Sequence, residues 1–353
     1  MAKVLYISAV SNQISGGSAG LERNLSLIKN VPDIDLLVYQ VPMQGKIGAL
    51  RSLFFGGNLI LSKKDEIKIL NLLKSEHFDY VFQEGTTSGH LAEALTKAGA
   101  NLIVFAHNVE TILYKERFEK NRYNIIEALK FLLVKRNEKK SVKYCSKLIS
   151  LTKRDSETIK SLFGREADYL IPVSFKTAKI ETKVTEIKEK YCLFVGSNFF
   201  PNNEGVSWFI SNVAPFINMK LKVVGSCCKA LSPNTKNENV ELLGIVEDID
   251  SLYLDAQLVV VPLFKGSGMK TKTIEAMSYG KSIFGTDECF QGIECNFDKI
   301  GGLCNTEKEF IEKINNYSGS NYNEYTKTLF DECYSNDAVQ EKFNNVFNSK
   351  VDV

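Results

Sequence analysis

The stretch VVVPLFKGSGMKTKTIEAMSYGKSIFGT, from Val259 to Thr286, decides the fold that the sequence predicts. It begins with a run of valines, passes through a turn that contains Gly266 and Gly268, and continues with the apolar spacing of a helix. A continuous apolar run is typical of a strand covered on both faces, and a strand followed by a helix is the repeating unit of parallel α/β domains. We therefore expect a parallel sheet with helices on both faces.

The start of this helix carries two lysines, Lys270 and Lys272, where the helix dipole favours acids. Their position, after a glycine turn that lets a ligand approach the backbone, favours an anion held at the helix N-terminus. Glu275 follows Lys272 by about one helical turn, so both side chains can address the same bound nucleotide. The alternative is an ordinary strand–turn–helix connection, because a glycine turn before a helix is by itself a weak signal.

The alternation of apolar runs and helical patterns continues on both sides of this stretch. The predicted strands are Val4–Val10, Leu36–Val41, Tyr80–Gln83, Leu102–Ala106, Leu148–Thr152, Tyr169–Val173, Cys192–Gly196, Leu221–Gly225, Val240–Gly244, Leu258–Pro262, Ser282–Thr286 and Gly301–Cys304. The sequence thus predicts two doubly wound, Rossmann-like domains at 1–175 and 191–334, joined by a charged linker at 176–190. A final helix near 335–350 is expected to cross back onto the first domain. Two such domains in tandem place the active site in the cleft between them.

Length and composition limit the class of protein. The chain has 353 residues, enough for two domains, and a net charge of +2. Between Lys130 and Arg154, seven Lys and two Arg accompany one acid, Glu138, so the rest of the chain is net acidic. Nucleic-acid-binding proteins are usually basic over a wider surface, and we expect no nucleic acid partner. Eight cysteines without a C-x-x-C pair and the lack of a membrane-span-length apolar run predict a cytoplasmic protein.

The basic segment has a helical spacing. Lys135, Lys139, Lys143 and Lys147 recur every four residues and would form one ridge on a helix. Such a ridge could lie on an anionic membrane surface, which predicts a peripheral location on the cytoplasmic membrane. A solvated helix face is the alternative, and the spacing alone does not separate the two.

Two D-x-D strings raise the question of a metal site. Asp33 and Asp35 precede a predicted strand, whereas Asp248 and Asp250 open a predicted helix. Carboxylates that hold a cation against a diphosphate should instead end a buried strand, and Asp is common as a helix cap. We therefore expect no metal and no other cofactor.

Three blocks of the second half resemble a known family. Lys272–Phe284 resembles the pattern K-x-x-E-A-M-x-x-G-K-P-V-V of the retaining GT-B glycosyltransferases, family 4 and relatives (glycosyl transferases group 1). Phe194–Pro215 and Glu241–Leu263 are similar to two further blocks of that family. In the first half, Gly16–Leu25 resembles its glycine loop after strand one, and Ala106–Thr111 resembles its H-N-x-E segment.

The resemblance implies a GT-B fold and a retaining, hexosyl-type glycosyltransferase (EC 2.4) of polysaccharide biosynthesis. Its substrates would be a nucleotide diphosphate sugar as donor and a glycan or lipid-linked glycan as acceptor. The catalytic residues would be His107 and Lys272. The donor would contact Gly196, Ser197, Gly225, Gly266, Ser267, Gly268, Met269, Lys270, Thr271, Lys272 and Glu275. On the acceptor side the resemblance implies Gly16, Gly17 and Asn108, and the position of Thr86 and Thr87 after a predicted strand adds these two residues.

Two positions depart from the family pattern. Ser267 stands where many members have a first glutamate, and Ser197, Asn198 and Phe199 stand where many carry an Arg and a Lys. The phosphate charge must then be balanced by Lys270, Lys272 and the helix end. Two alternatives remain open: a nucleotide-sugar epimerase of the same fold, and a non-catalytic protein that binds a nucleotide sugar or a glycan.

Overall fold

The computed structural model describes residues 1–10, 16–43, 45–55, 57–178, 190–231, 238–266 and 268–348. The chain forms two α/β units. Unit 1 comprises Met1–Pro172 together with the residues from Gln340 onward, and unit 2 comprises Val173–Val339. Most of the linker predicted at 176–190 lies outside the described residues.

Unit 1 contains a six-stranded parallel sheet with the strand order β2-β1-β3-β4-β5-β6. Its strands are β1 (Ala2–Val10), β2 (Ile34–Pro42), β3 (Tyr80–Glu84), β4 (Leu102–Ala106), β5 (Lys147–Ser150) and β6 (Tyr169–Leu170). Every residue of β4 is buried, as its uniform apolar composition predicts for a central parallel strand.

The helices of unit 1 connect these strands. They are α1 (Gly16–Lys29), α2 (Lys46–Phe55), α3 (Lys63–Ser75), α4 (Gly89–Lys97), α5 (Glu110–Lys120), α6 (Ile125–Tyr144) and α7 (Lys153–Phe163). Side-chain caps begin several of them: Ser62 accepts a hydrogen bond from the Asp65 N–H, and Thr152 accepts one from the Asp155 N–H.

Unit 2 repeats the architecture with the strand order β12-β11-β10-β7-β8-β9, again with parallel pairing. Its strands are β7 (Tyr191–Val195), β8 (Lys220–Val224), β9 (Val240–Gly244), β10 (Leu258–Val261), β11 (Ile283–Gly285) and β12 (Gly301–Leu303). Its helices are α8 (Phe200–Asn212), α9 (Asp250–Asp255), α10 (Thr271–Ser278), α11 (Phe297–Ile300), α12 (Glu307–Asn315) and α13 (Glu324–Cys333), with 3-10 turns at Ala214–Phe216 and Ser226–Ala230.

The last helix, α14 (Asn336–Asn348), begins in unit 2 and ends in unit 1. Ser335 caps it by accepting a hydrogen bond from the Ala338 N–H. Its rings pack on the unit 1 sheet: Phe343 stacks 6.3 Å from Phe105, and Phe347 lies 6.3 Å from Phe82. The helix thus completes the core of the unit in which the chain begins.

Lys147 corrects the predicted lysine ridge. Helix α6 ends at Tyr144, and Lys147 is a buried residue of β5 whose Nζ donates to the Val346 carbonyl at 2.6 Å. Lys147 therefore fastens α14 to the sheet. Lys135, Lys139 and Lys143 do lie on α6, and all three are exposed.

All eight cysteines are free thiols, and five of them are buried. In the described part of the chain, no helix combines the length and the apolar character that crossing a bilayer would require.

Candidate functional site

The strand order of unit 2 reverses between β7 and β10, which creates a crevice at their carboxyl ends. Ligands of doubly wound sheets bind at such a switch point. Gly196 and Ser197 follow β7, and Gly266 and Gly268 lie between β10 and α10. The predicted donor residues of unit 2 are therefore grouped at this end of the sheet, except Ser267, which lies outside the described residues. Met269 is buried beside the turn, and Thr271 is the first residue of α10.

Two glycines let the backbone pack tightly around the crevice. A Cβ on Gly225, which has a φ of +107°, would lie 2.2 Å from the Gly196 carbonyl oxygen. A Cβ on Gly205 would lie 2.1 Å from the Pro262 carbonyl oxygen, so α8 sits directly on the end of β10. Packing thus accounts for Gly225, whose predicted role was contact with a donor.

Lys272 extends from the first turn of α10 into this crevice. Its Nζ donates to Asn202 Oδ1 at 2.7 Å and lies 4.2 Å from the centre of the Phe194 ring. Among the described residues, no carboxylate forms an ion pair with it. Burial lowers the pKa of Lys272 to about 7. The crevice therefore contains a largely desolvated amine with neutral partners.

Asn202 holds Lys272 and was not predicted. It lies in the first turn of α8, its Oδ1 accepts from Lys272, and its Nδ2 donates to the Ser197 carbonyl at 2.9 Å. One side chain therefore links the loop after β7 to α10. The signal was present in the Phe194–Pro215 block, which contains Asn202, but only the fold shows its partner.

Lys270 has a different environment from the one its spacing predicts. It is buried, and its Nζ forms an ion pair with Glu288 at 2.6 Å and donates to the Gly268 carbonyl at 2.9 Å. This ion pair corrects the expectation that Lys270 balances phosphate charge together with Lys272, because Glu288 already neutralises Lys270 within the protein. Glu288 lies far from Lys270 in the sequence, and no motif there predicted this ion pair.

Glu275 lies among aromatic side chains. Its Oε2 accepts a hydrogen bond from the Tyr253 hydroxyl at 3.0 Å, and the Tyr253 ring stacks on Tyr279 with their centres 4.6 Å apart. Burial raises the pKa of Glu275 above its usual value. Tyr279 in turn donates to Asp250 at 2.5 Å.

The D-x-D strings lie where the sequence predicts them. Asp33 and Asp35 flank the start of β2, and Asp248 accepts from the Ser251 N–H at 3.1 Å at the start of α9. Nowhere in the described ranges do three or more His, Cys, Asp or Glu side chains form a group that could hold a metal ion.

Unit 1 places a buried carboxylate at the carboxyl end of β3. Glu84 accepts from the Tyr6 hydroxyl at 2.7 Å and from Asn24 Nδ2 at 3.0 Å, and its Oε2 lies 2.5 Å from His107 Nε2. Its side chain is only 1% exposed, whereas that of His107 is 22% exposed. Arg23 donates to the Asn24 oxygen, and burial lowers its pKa to about 10. His107 is thus the accessible end of a polar cluster.

Only His107 of this cluster was predicted. The other members come from β1, α1 and β3: Arg23 and Asn24 lie within the Gly16–Leu25 block, whereas Tyr6 and Glu84 lie in no matched motif. The order of the sheet reverses between β1 and β3, so the cluster lies beside the switch point of unit 1. A search for polar residues at the ends of both switch-point strands would have found Glu84.

The predicted acceptor residues of unit 1 divide into two groups. Thr86 is fully buried and its hydroxyl donates to Glu138 at 2.8 Å, which corrects the expectation that its side chain contacts an acceptor. Thr87 and Asn108 are half-buried near strand ends. Gly16 and Gly17 open helix α1 rather than forming a loop before it.

One family of known proteins matches part of the second half of the chain. Residues 189–318 match the family described as glycosyl transferases group 1. The match covers the switch-point residues of unit 2, including Lys272 and Glu275.

One curated relative and several solved structures resemble the chain over most of its length. An uncharacterised 44.6 kDa protein in the cps region of Klebsiella pneumoniae is 25% identical over 298 residues, which are 77% of this chain and 74% of that protein. Anabaena Alr3699/HepE, solved with UDP and glucose, is 14% identical with a TM-score of 0.68 and coverage of 99% and 100%. Sucrose-phosphate synthase from Thermosynechococcus elongatus is 13% identical with a TM-score of 0.69 and coverage of 98% of both chains.

These likenesses confirm the predicted fold: two doubly wound α/β domains of the GT-B type. The family match and the fold together support glycosyl transfer as the activity.

Proposed function

We propose that this protein transfers a glycosyl group from a nucleotide diphosphate sugar to a hydroxyl of a glycan or lipid-linked glycan, with retention of the anomeric configuration. The observation that carries the proposal is Lys272, a desolvated amine with neutral partners at the switch point of unit 2. A diphosphate would supply the negative charge that this site lacks.

The chemistry follows from where charge develops. As the glycosidic bond breaks, the anomeric carbon becomes cationic and the leaving diphosphate gains negative charge. Lys272 and the N-terminus of α10 would stabilise that charge. Glu275 would accept hydrogen bonds from the ribose hydroxyls.

UDP is the first nucleotide to test. Structures of Anabaena Alr3699/HepE contain UDP or UDP-glucose. That protein shares only the fold with this chain, so the base and the sugar need direct measurement. In unit 1, His107 would contact the donor sugar, held in its orientation by Glu84.

The reaction should need no metal, because both D-x-D strings lie in structural positions. The test is a screen of nucleotide diphosphates by thermal shift, followed by turnover of the matching sugar donor in EDTA. A ligand at about 100 times its Kd adds about 2.7 kcal/mol to the free energy of unfolding. Loss of turnover in EDTA and its recovery with Mg²⁺ or Mn²⁺ would refute metal independence.

The products decide between the proposed activity and its alternatives. A transferase releases the nucleoside diphosphate and leaves the sugar on acceptor or water, and the anomeric configuration of the product tests retention. A product with the same mass as the donor would indicate an epimerase. Binding without any turnover would indicate a non-catalytic binding protein.

A further inference from the structure

Helix α6 exposes a strip of side chains along its outer face. Ile125, Leu132, Arg136, Lys139 and Lys143 are all exposed, and at 100° per residue they lie within about 60° of one another around the helix axis. They extend from Ile125 to Lys143, which is about 27 Å along the helix axis at 1.5 Å per residue. We call these five residues the α6 strip.

One end of the α6 strip is apolar. Ile125 is 76% exposed and Leu132 is 59% exposed, and Tyr123, just before the helix, is 94% exposed. Single exposed apolar residues are ordinary on protein surfaces, but here three large ones follow one another between Tyr123 and Leu132. Tyr123 also has the amphipathic ring that favours a boundary between water and an apolar phase.

The other end is cationic and has no acid beside it on the helix. Arg136, Lys139 and Lys143 are exposed. The two acids of α6 have other partners: Glu127 forms an ion pair with Lys130 at 2.6 Å, and Glu138 is buried beneath α5. The strip therefore separates an apolar end from a positive end instead of mixing charges of both signs.

We propose that the α6 strip docks on the anionic surface of a lipid bilayer. Its apolar end would enter the headgroup region while its cations lie over the lipid phosphates, as in interfacial amphipathic helices. Charge complementarity favours a bilayer, because a strip of three cations without acids matches a continuous anionic surface. The adjoining helix α2 also exposes Ile47 and Leu50. The proposal concerns this surface and does not depend on the glycosyl transfer chemistry.

The test is co-sedimentation of the full chain with vesicles of phosphatidylglycerol and phosphatidylcholine in equal parts, and with phosphatidylcholine alone. We expect binding to the anionic vesicles only. The binding should be lost at high salt, because the Debye length falls from about 30 Å at 0.01 M to about 3 Å at 1 M.

Three variants separate the contributions of the cations and of the apolar residues to vesicle binding. The triple change R136Q, K139Q and K143Q should lower partitioning about 100-fold, since each cation near the surface contributes roughly fivefold. The matched control K64Q, K74Q and K153Q removes three exposed lysines from α3 and α7 and should change partitioning less than about threefold. The double change I125Q and L132Q should lower partitioning roughly tenfold through lost apolar burial.

Several results would overturn the proposal. These are absence of binding to the anionic vesicles, an equal loss in the control, or unchanged binding in the apolar double variant. If the R136Q, K139Q and K143Q variant instead lost self-association in light scattering and kept vesicle binding, the strip would be an interface between copies. Parental melting temperatures and UDP affinity in each variant show that fold and donor site are intact.

Discussion

At the carboxyl ends of the unit 2 strands, the half-buried amine of Lys272 has neutral partners. At the carboxyl end of β3 in unit 1, the buried carboxyl group of Glu84 is surrounded by donors. Lys272 has the amide oxygen of Asn202 and the Phe194 ring beside it, whereas Glu84 accepts hydrogen bonds from Tyr6 and Asn24 and pairs with His107. Unit 2 therefore favours a ligand that brings negative charge. The Glu84 carboxyl group of unit 1 already has partners within the protein and holds His107 in place.

The largest effect expected from this contrast is on turnover. Lys272→Ala should lower kcat by about 10²–10³, because one preorganised donor to the developing charge is lost. Glu275→Gln should mainly weaken UDP binding, since the ribose hydroxyls do not change charge during the reaction. Steady-state kinetics of both variants with the same donor provide the comparison. A Lys272→Ala enzyme that changes only in KM would show that the lysine binds donor and transition state equally.

A smaller effect is expected in unit 1, on stability. Glu84→Gln keeps the shape of the side chain but weakens its hydrogen bonds, and we expect the free energy of unfolding to fall by about 2 kcal/mol. Urea titration followed by circular dichroism measures this change. UDP affinity should stay at the parental value, because the changed residue belongs to unit 1. A tenfold weaker affinity for UDP would contradict the division of roles between the units.

The smallest effect, counted per pH unit, is a pH dependence of UDP binding. Because burial lowers the pKa of Lys272 to about 7, the free site loses its positive charge as pH rises above that value. Binding a diphosphate must then restore the proton, so the Kd for UDP should rise up to about tenfold per pH unit. Calorimetry between about pH 7 and 9, above the pKa of Lys272, would detect the proton uptake when buffers of different ionisation enthalpy are compared.

Lys272→Met is the control for this dependence, since it removes the titrating group while keeping an unbranched side chain. An equal slope in this variant would assign the pH effect to another residue. Rising pH is expected to stabilise the ligand-free protein, although it weakens the binding of UDP. A base whose folded-state pKa is lowered destabilises the ligand-free protein below that pKa, and this cost is relieved as pH rises toward the ordinary lysine value.

The strands could be predicted because the signal for each, a short apolar run, lies within the strand itself. Leu102–Ala106 and Val240–Gly244 have the predicted bounds, and the other strands differ by a few residues at their ends. Helix α5 shows the limit of that approach. No side chain of its own N-cap holds its first N–H groups; instead Glu138 of α6 accepts from Glu110 and Thr111 at 2.9 and 2.7 Å. A cap supplied by another helix leaves no trace in the neighbouring sequence.

The site residues also divide into those that a local motif reveals and those that only the fold reveals. Lys272 and Glu275 lie in one continuous motif, so they could be named from the sequence. Asn202 and Glu84 act on residues that other elements bring to them, and only the fold shows those partners. Spacing every four residues placed Lys147 on a helix, but periodicity does not reveal where a helix ends. The backbone becomes extended at Cys145, and Lys147 is the first residue of strand β5.

The return of α14 to unit 1 has a consequence for the order of biosynthesis. Phe343 and Phe347, which complete the aromatic core around Phe82 and Phe105, lie near the end of the chain. A ribosome therefore synthesises all of unit 2 before unit 1 can close its core. Unit 1 is therefore finished after unit 2, and its apolar core stays incomplete throughout the translation of unit 2.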